Sequence, residues 1–267
     1  MAQRISVQKV DDPRVDDFRH LSTADRRPDR PGGRGFVIAE GTVVVRRLLA
    51  SDYPVRALLG VARRIEELEP ELAGVDVPAY VTSAELMAEI VGFHLNRGVL
   101  AVADRAPRSS AGEIVARARV LAVPEGVGDH ENLGALFRNA AAFGLGGVLL
   151  GPGCSDPLYR RSVRVSMGNV LRVPFAPLEP WPAGLTSLKE KGFRVAALTP
   201  RADSVPLREL AADGGKIALL LGSEGPGLTE EALGAADVAV RVPMAEGVDS
   251  LNVATAAAVA FYELAGR

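Results

Sequence analysis

The chain holds almost nothing from which to build a thiol or metal centre. Among its 267 residues there is one cysteine, Cys154, and three histidines, His20, His94 and His130, set far apart. A lone thiol cannot form an internal disulfide and no zinc-type Cys/His spacing is present, so neither a metal nor a Cys/His nucleophile is expected. Aromatic residues are scarce at 5%, with a single tryptophan, which argues against a β-sandwich rich in Trp and Tyr. Nowhere do about 18 apolar residues run together, so no membrane span is expected. The charged beginning from Arg4 onward lacks the apolar core of a signal peptide, and the expected location is the cytoplasm. An excess of positive charge is missing too. The formal net charge is −2, so composition alone does not announce a nucleic-acid binder.

What is present has the composition of an ordinary α/β enzyme: 48% hydrophobic residues, 24% charged and 28 glycines. Positive charge is gathered locally. Arg26, Arg27, Arg30 and Arg34 form one cluster and Arg160, Arg161, Arg164 and Arg172 another, both candidates for RNA phosphate contacts. The length suits two modest domains. Residues 1–34, rich in proline and charge, read as a mobile arm with a short helical piece near 15–21. Over 35–103, apolar runs at 36–41, 55–61, 78–81 and 98–104 alternate with helical stretches at 42–50, 62–72 and 84–91, which predicts a small α/β layer of about four strands. The polar Pro/Ser stretch 104–112 reads as a linker. Beyond it, strands are expected at 116–123, 146–150, 171–174, 193–198, 217–221 and 237–242, separated by helices, which predicts a parallel sheet covered on both faces.

Three polar stretches sit where these elements meet. ENLGALFRNAAAFGL, 131–145, is a helix opening with Asn132 and carrying Arg138. IALLLGSEGPGL, 217–228, is an apolar strand running into a glycine loop that holds Gly222 and Glu224. In VRVPMAEGVDSLNVATAAAVAFYE, 240–263, Pro243 stops a strand and Ser250 and Asn252 stand at the entrance of a helix of small apolar residues. A helix entrance offers N–H groups to a ligand or a developing charge, although Ser250 as a plain helix cap is the simpler reading. Nucleotide-phosphate folds do not fit. The glycines of GLGGVLLG, 144–151, precede their strand, no Walker A lysine is present, and GSEGPG carries a carboxylate and a proline where a pyrophosphate prefers bare N–H groups.

In order, N-x-G-x-x-x-R, L-G-S-E-G-x-G and V-P-M followed by S-L-N-V closely resemble the three motifs of the SpoU/TrmH family of the SPOUT superfamily, the S-adenosylmethionine-dependent RNA ribose 2′-O-methyltransferases. The resemblance spans 113–267 and implies a C-terminal parallel-sheet SPOUT domain with a deep trefoil knot, an exception to the rule that chains avoid knots. It implies homodimerisation through that domain. It also implies S-adenosyl-L-methionine binding by Thr199, Gly222, Val242, Met244 and Leu251, and a catalytic set of Arg138, Asn132, Glu224, Ser250 and Asn252. A guanidinium is a poor base because its pKa exceeds about 12, so Arg138 is expected to orient the ribose hydroxyl and stabilise the developing alkoxide. Asn132 and Asn252 would orient the site, Ser250 would add a hydrogen bond, and Glu224 would hold loop geometry. GFVIAEG and GFHLNRGVLAVAD resemble the small N-terminal α/β substrate-binding domain of many members, with Glu40, Gly41, Gly92, His94 and Gly98 at matching positions. The expected partner is rRNA or tRNA. Two alternatives are a catalytically silent RNA-binding relative and a small-molecule methyltransferase. Five intact polar positions speak against the first, and the separate N-terminal domain with two arginine clusters against the second.

Overall fold

The structure, a computed structural model, describes residues 2–19, 21, 35–107, 109–201 and 203–265. It divides into two compact units, Met1–Pro107 with Leu158–Leu171, and Arg108–Pro157 with Arg172–Arg267. The first contains β1 (Gln3–Ser6), β2 (Val37–Glu40), α1 (Thr42–Leu49), β3 (Val55–Gly60), α2 (Ala62–Glu66), α3 (Glu69–Leu72), β4 (Pro78–Val81), α4 (Ala84–Val91) and β5 (Val99–Ala103). The second opens with α5 (Ala111–Arg117), β6 (Val120–Pro124), α6 (His130–Ala142) and β7 (Gly147–Leu150). The chain then returns to the first unit as α7 (Arg160–Val165). It resumes the second as β8 (Phe175–Pro177), α8 (Ala183–Glu190), β9 (Phe193–Leu198), β10 (Val205–Pro206), α9 (Leu207–Asp213), β11 (Lys216–Leu221), α10 (Glu230–Ala235), β12 (Val238–Arg241) and α11 (Val253–Ala265).

The first unit is a mixed five-stranded sheet ordered β1-β4-β3-β5-β2. Four of its strands are those expected from the apolar runs. The fifth corrects the reading of the N-terminus as an arm: β1 pairs in parallel with β4, and Val7, Val15, Phe18 and Leu21 are buried in the same core as Leu59, Met87 and Leu100. Residues 13–18 form a 3₁₀ turn rather than an α-helix. Segment 158–171 packs into this unit as well. Ser162 and Val163 are buried, Arg47 donates to the Met167 carbonyl at 2.5 Å, and a side chain at Gly168 would press on Val44.

The second unit is a seven-stranded, wholly parallel sheet ordered β10-β12-β9-β11-β6-β7-β8. Its central strands β6 and β11 read VLAVP and KIALLL, nearly continuous in apolar residues because both faces are covered. Two boundaries differ from expectation. Residues 111–117 are helical, started by a capping box in which Ser110 and Glu113 satisfy each other's backbone N–H groups, so the strand begins only at Val120. The strand expected at 171–174 is instead a 3₁₀ turn, Asn169–Leu171, followed by β8.

Register places the site. Leu221 at the end of β11 is level with Pro124 of β6 and Leu198 of β9, and Leu198 is level with Val240 of β12. The segments following these four strands therefore leave the sheet along one edge, the carboxyl ends of parallel strands where α/β folds place ligands. From that edge the chain enters α11, which lies against α6.

Candidate active site

Three of those segments enclose a cavity of about 650 Å³, inside the span of roughly 300–1,000 Å³ usual for small-molecule sites. Its apolar wall includes Leu198, Leu221, Leu228, Val242 and Val253. All five residues expected to bind a cofactor, Thr199, Gly222, Val242, Met244 and Leu251, line it, and so do Glu224, Ser250 and Asn252 of the catalytic set.

The loop after β11 folds back on itself. The Gly227 N–H donates to the Ser223 carbonyl at 3.1 Å, and Gly227 takes φ +75°, open to glycine. A side chain at Gly222 would meet the Gly227 and Leu228 backbone at 2.4 Å. The missing side chain at Gly222 thus lets its own loop close against it. Glu125, at the end of β6, ties this loop down. Its buried carboxylate accepts from the Thr229 N–H at 2.9 Å and the Thr229 hydroxyl at 2.8 Å, while the Thr229 Oγ1 caps α10 by accepting from the Ala232 N–H. Nothing in the sequence pattern singled Glu125 out. Glu125→Ala is expected to cost about 2–3 kcal/mol, because it strips two charge-assisted hydrogen bonds from a helix start. Thermal denaturation should show a melting temperature lower by roughly 5–10 °C, and calorimetry a weaker affinity for any ligand of the cavity.

At the cavity's edge Asn252 gathers the polar residues. Its Oδ1 accepts from the Ala254 and Thr255 N–H groups at 3.0 and 3.2 Å, which makes Asn252 the cap of α11 in place of Ser250. With the oxygen so committed, the amide nitrogen faces the other way and donates to Glu224 Oε1 at 2.6 Å and to Asn132 Oδ1 at 2.8 Å. Asn132 is itself fixed, since α6 starts at His130 with Asp129 as its cap, the carboxylate accepting from the Glu131 and Asn132 N–H groups. Seven residues further along the same helix face, Asn139 donates to the Ala254 carbonyl at 2.8 Å, a second clamp between α6 and α11 that the sequence reading missed. An N-x₆-N spacing is its only trace in the sequence.

Arg138 and Ser250 are not part of this network. Ser250 is exposed at the cavity's rim, and Arg138 is exposed on α6 without a hydrogen bond or ion pair among the described residues. Arg138 lies about 9 Å along the axis from Asn132 and a third of a turn around it. Of the arginine clusters, Arg26, Arg27, Arg30 and Arg34 fall outside the described residues. Arg161 and Arg172 are exposed and Arg164 is half-buried. Arg160 differs from the expected phosphate-facing cation: its guanidinium stacks 4.5 Å from the Phe93 ring centre and stands 3.8 Å from the buried Glu40 carboxylate. Burial lowers its pKa, against the opposing pull of Glu40. Burial also pushes the Cys154 thiol up to about 11, the reverse of what a nucleophile requires. Among the described residues no three His, Cys, Asp or Glu side chains group to hold a metal, and no helix is long and apolar enough to cross a membrane.

The lining chemistry fits a ligand that is apolar at one end and polar at the other. Leucine and valine supply the apolar part of the lining, and Arg201, Glu224 and Glu230 its charged side chains. Known proteins agree with the geometry. The chain is 58% identical over 264 residues, 97% of its length and 92% of the relative's, to an uncharacterized tRNA/rRNA methyltransferase of Mycobacterium tuberculosis. It is 27% identical over 260 residues, 97% of its length and 99% of the relative's, to the 23S rRNA (guanosine(2553)-2′-O)-methyltransferase RlmP of Bacillus subtilis. The fold matches an AdoMet-bound rRNA methyltransferase from Sinorhizobium meliloti with a TM-score of 0.78 at 23% identity, covering 98% of this chain and 97% of that one. It also matches the SpoU methyltransferase AviRb from Streptomyces viridochromogenes in complex with AdoMet, with a TM-score of 0.77 at 21% identity, covering 96% and 97%. Residues 119–262, more than half of the chain and the whole of the cavity and its amide network, match the SpoU rRNA Methylase family, and to that family the protein belongs.

Proposed function

We propose that this enzyme methylates a ribose 2′-hydroxyl in structured RNA, rRNA or tRNA, with S-adenosyl-L-methionine as methyl donor. The observation that carries the reading is the cavity at the strand ends with the Asn132–Asn252–Glu224 network at its edge. The relative RlmP, which aligns over nearly its full length, supports the 2′-O position. When bound, the cofactor supplies a sulfonium-activated methyl group. Leu221, Leu228, Val242 and Leu251 would hold its adenosine, and the backbone of 222–228 would give it hydrogen bonds. Asn252, held by the first turn of α11, keeps Glu224 and Asn132 in place so that the site needs no rearrangement when substrate arrives. Arg138, with an unengaged planar fork, would stabilise negative charge on the ribose oxygen as its proton passes to solvent water and the methyl bond to sulfur breaks. The same reading has the enzyme work in the cytoplasm, where rRNA and tRNA would meet it.

The same reading includes a deep trefoil knot in the second unit and an RNA-holding role for the first unit with Arg161 and Arg164. It includes a homodimer. Val259 and Tyr262 stand exposed three residues apart on α11, with Tyr262 edge-on to Phe143 at 6.0 Å. Val259→Asp with Tyr262→Asp is expected to yield a monomer by light scattering. A dimer unchanged by both aspartates would place the interface elsewhere.

Incubating the protein with labelled S-adenosylmethionine and either total RNA or a metabolite extract tests the function. Label in RNA at alkali-resistant linkages is the expected result, because 2′-O-methylation blocks backbone cleavage. Label only in small molecules, or on bases, would overturn it.

A further inference from the structure

The cavity carries a charged pair that the reaction described above does not use. Among the described residues that line it Arg201 is the one cation, and its guanidinium donates to the carboxylate of Glu230, the first residue of α10. Both side chains are open to solvent, at 45% and 80%, so the pair is a weak surface contact that either partner can exchange for a ligand group. Its base is not loose. The Arg201 carbonyl accepts from the N–H of the buried Ser204 at 3.2 Å and from its hydroxyl, which sets Arg201 in a fixed turn beyond Thr199. Glu230 directly follows Thr229, which Glu125 holds. The remaining lining carboxylate, Glu224, is bound to Asn252.

We propose that Arg201 and Glu230 together form the subsite for the amino-acid end of the cofactor, Arg201 taking the α-carboxylate and Glu230 the α-ammonium. The proposal rests on the cofactor reading above. An adenosine group needs neither charge, and a zwitterion needs one of each sign. The guanidinium suits the carboxylate because two parallel N–H groups can meet two oxygens. The exchange is balanced: the Arg201–Glu230 pair opens, and each partner finds the opposite charge on the ligand. A site of this kind selects against adenosine derivatives that lack the amino acid.

Calorimetry on the full chain separates the possibilities, using S-adenosylhomocysteine and 5′-methylthioadenosine, which share the thioether adenosine and differ in the amino-acid tail. The native protein should bind the first more tightly. Arg201→Ala should raise the Kd for S-adenosylhomocysteine by roughly tenfold or more and leave that for 5′-methylthioadenosine within about twofold, which also shows that the pocket is still formed. Arg201→Gln should behave likewise, and Arg201→Lys should fall between, since it keeps the charge and loses the fork. Equal weakening of both ligands, weakening of neither, or a loss confined to RNA binding would overturn the proposal. If the native protein binds both ligands with equal affinity, this subsite alone fails; if it binds neither, the cofactor reading fails with it.

Discussion

Arg138→Ala is expected to lower the rate of RNA methylation by about 10²–10³-fold, the usual effect of deleting one charge-stabilising donor from an active site. Stability should hardly move. The side chain is exposed and has no partner among the described residues, so its loss falls in the range of about ±0.5 kcal/mol seen for isolated surface changes. Binding of S-adenosylhomocysteine should be unchanged, because Arg138 does not line the cavity. Arg138→Lys should also fail, as a point charge does not reproduce the planar fork. Methyl incorporation, thermal denaturation and calorimetry on the same samples provide the test, and near-normal turnover in either variant would remove Arg138 from the mechanism.

Asn252→Asp should be as damaging to turnover and should reveal how the site is held. Aspartate caps a helix as well as asparagine does, so the start of α11 survives. The donor does not. A second carboxylate would stand where the amide nitrogen lies 2.6 Å from Glu224, at a cost on the order of 1–2 kcal/mol at neutral pH once solvent screening is allowed for. Two carboxylates that close bind a shared proton more tightly than the unfolded chain does, so the folded state gains a proton first as pH falls. The deficit relative to the native protein should therefore be full at pH 7 and shrink as the pH drops through the carboxylate range. Asn252→Ala, which loses the cap instead, should cost about 1 kcal/mol at every pH. Urea denaturation at pH 7 and pH 4.5 distinguishes them, and a pH-independent deficit for Asn252→Asp would show that Glu224 is not its neighbour in solution.

Much of the site was legible because motif residues fall where strands end, and apolar runs mark those ends well. Thr199, Gly222, Val242, Met244 and Leu251 all line one cavity for this reason. What stayed hidden was the wiring. Whether Ser250 or Asn252 caps α11 depends on which side chain reaches back to the Ala254 N–H, and the sequence offers both. Glu125 and Thr229 lie 104 residues apart, a distance over which no local periodicity speaks. Strand β1 was hidden for the same reason, since its partner β4 comes some seventy residues later. Helix α5 had its signal, Ser110 with Glu113, but the proline and serines before it outweighed four letters.

The path of the chain through the two units bears on how the protein can be taken apart. Residues 158–171 sit in the first unit although 108–157 and 172–267 form the second, so the polypeptide crosses the boundary three times, near 107, 157 and 171. A protease cutting the Pro/Ser stretch would leave two polypeptides stitched together by segment 158–171, whose Leu158, Val163 and Val170 are buried. Such a nicked protein should co-elute on a sizing column until denaturant is added. Swapping the N-terminal unit between relatives likewise requires exchanging two stretches of gene, because the receptor for α7 is encoded before the linker and its insert after it.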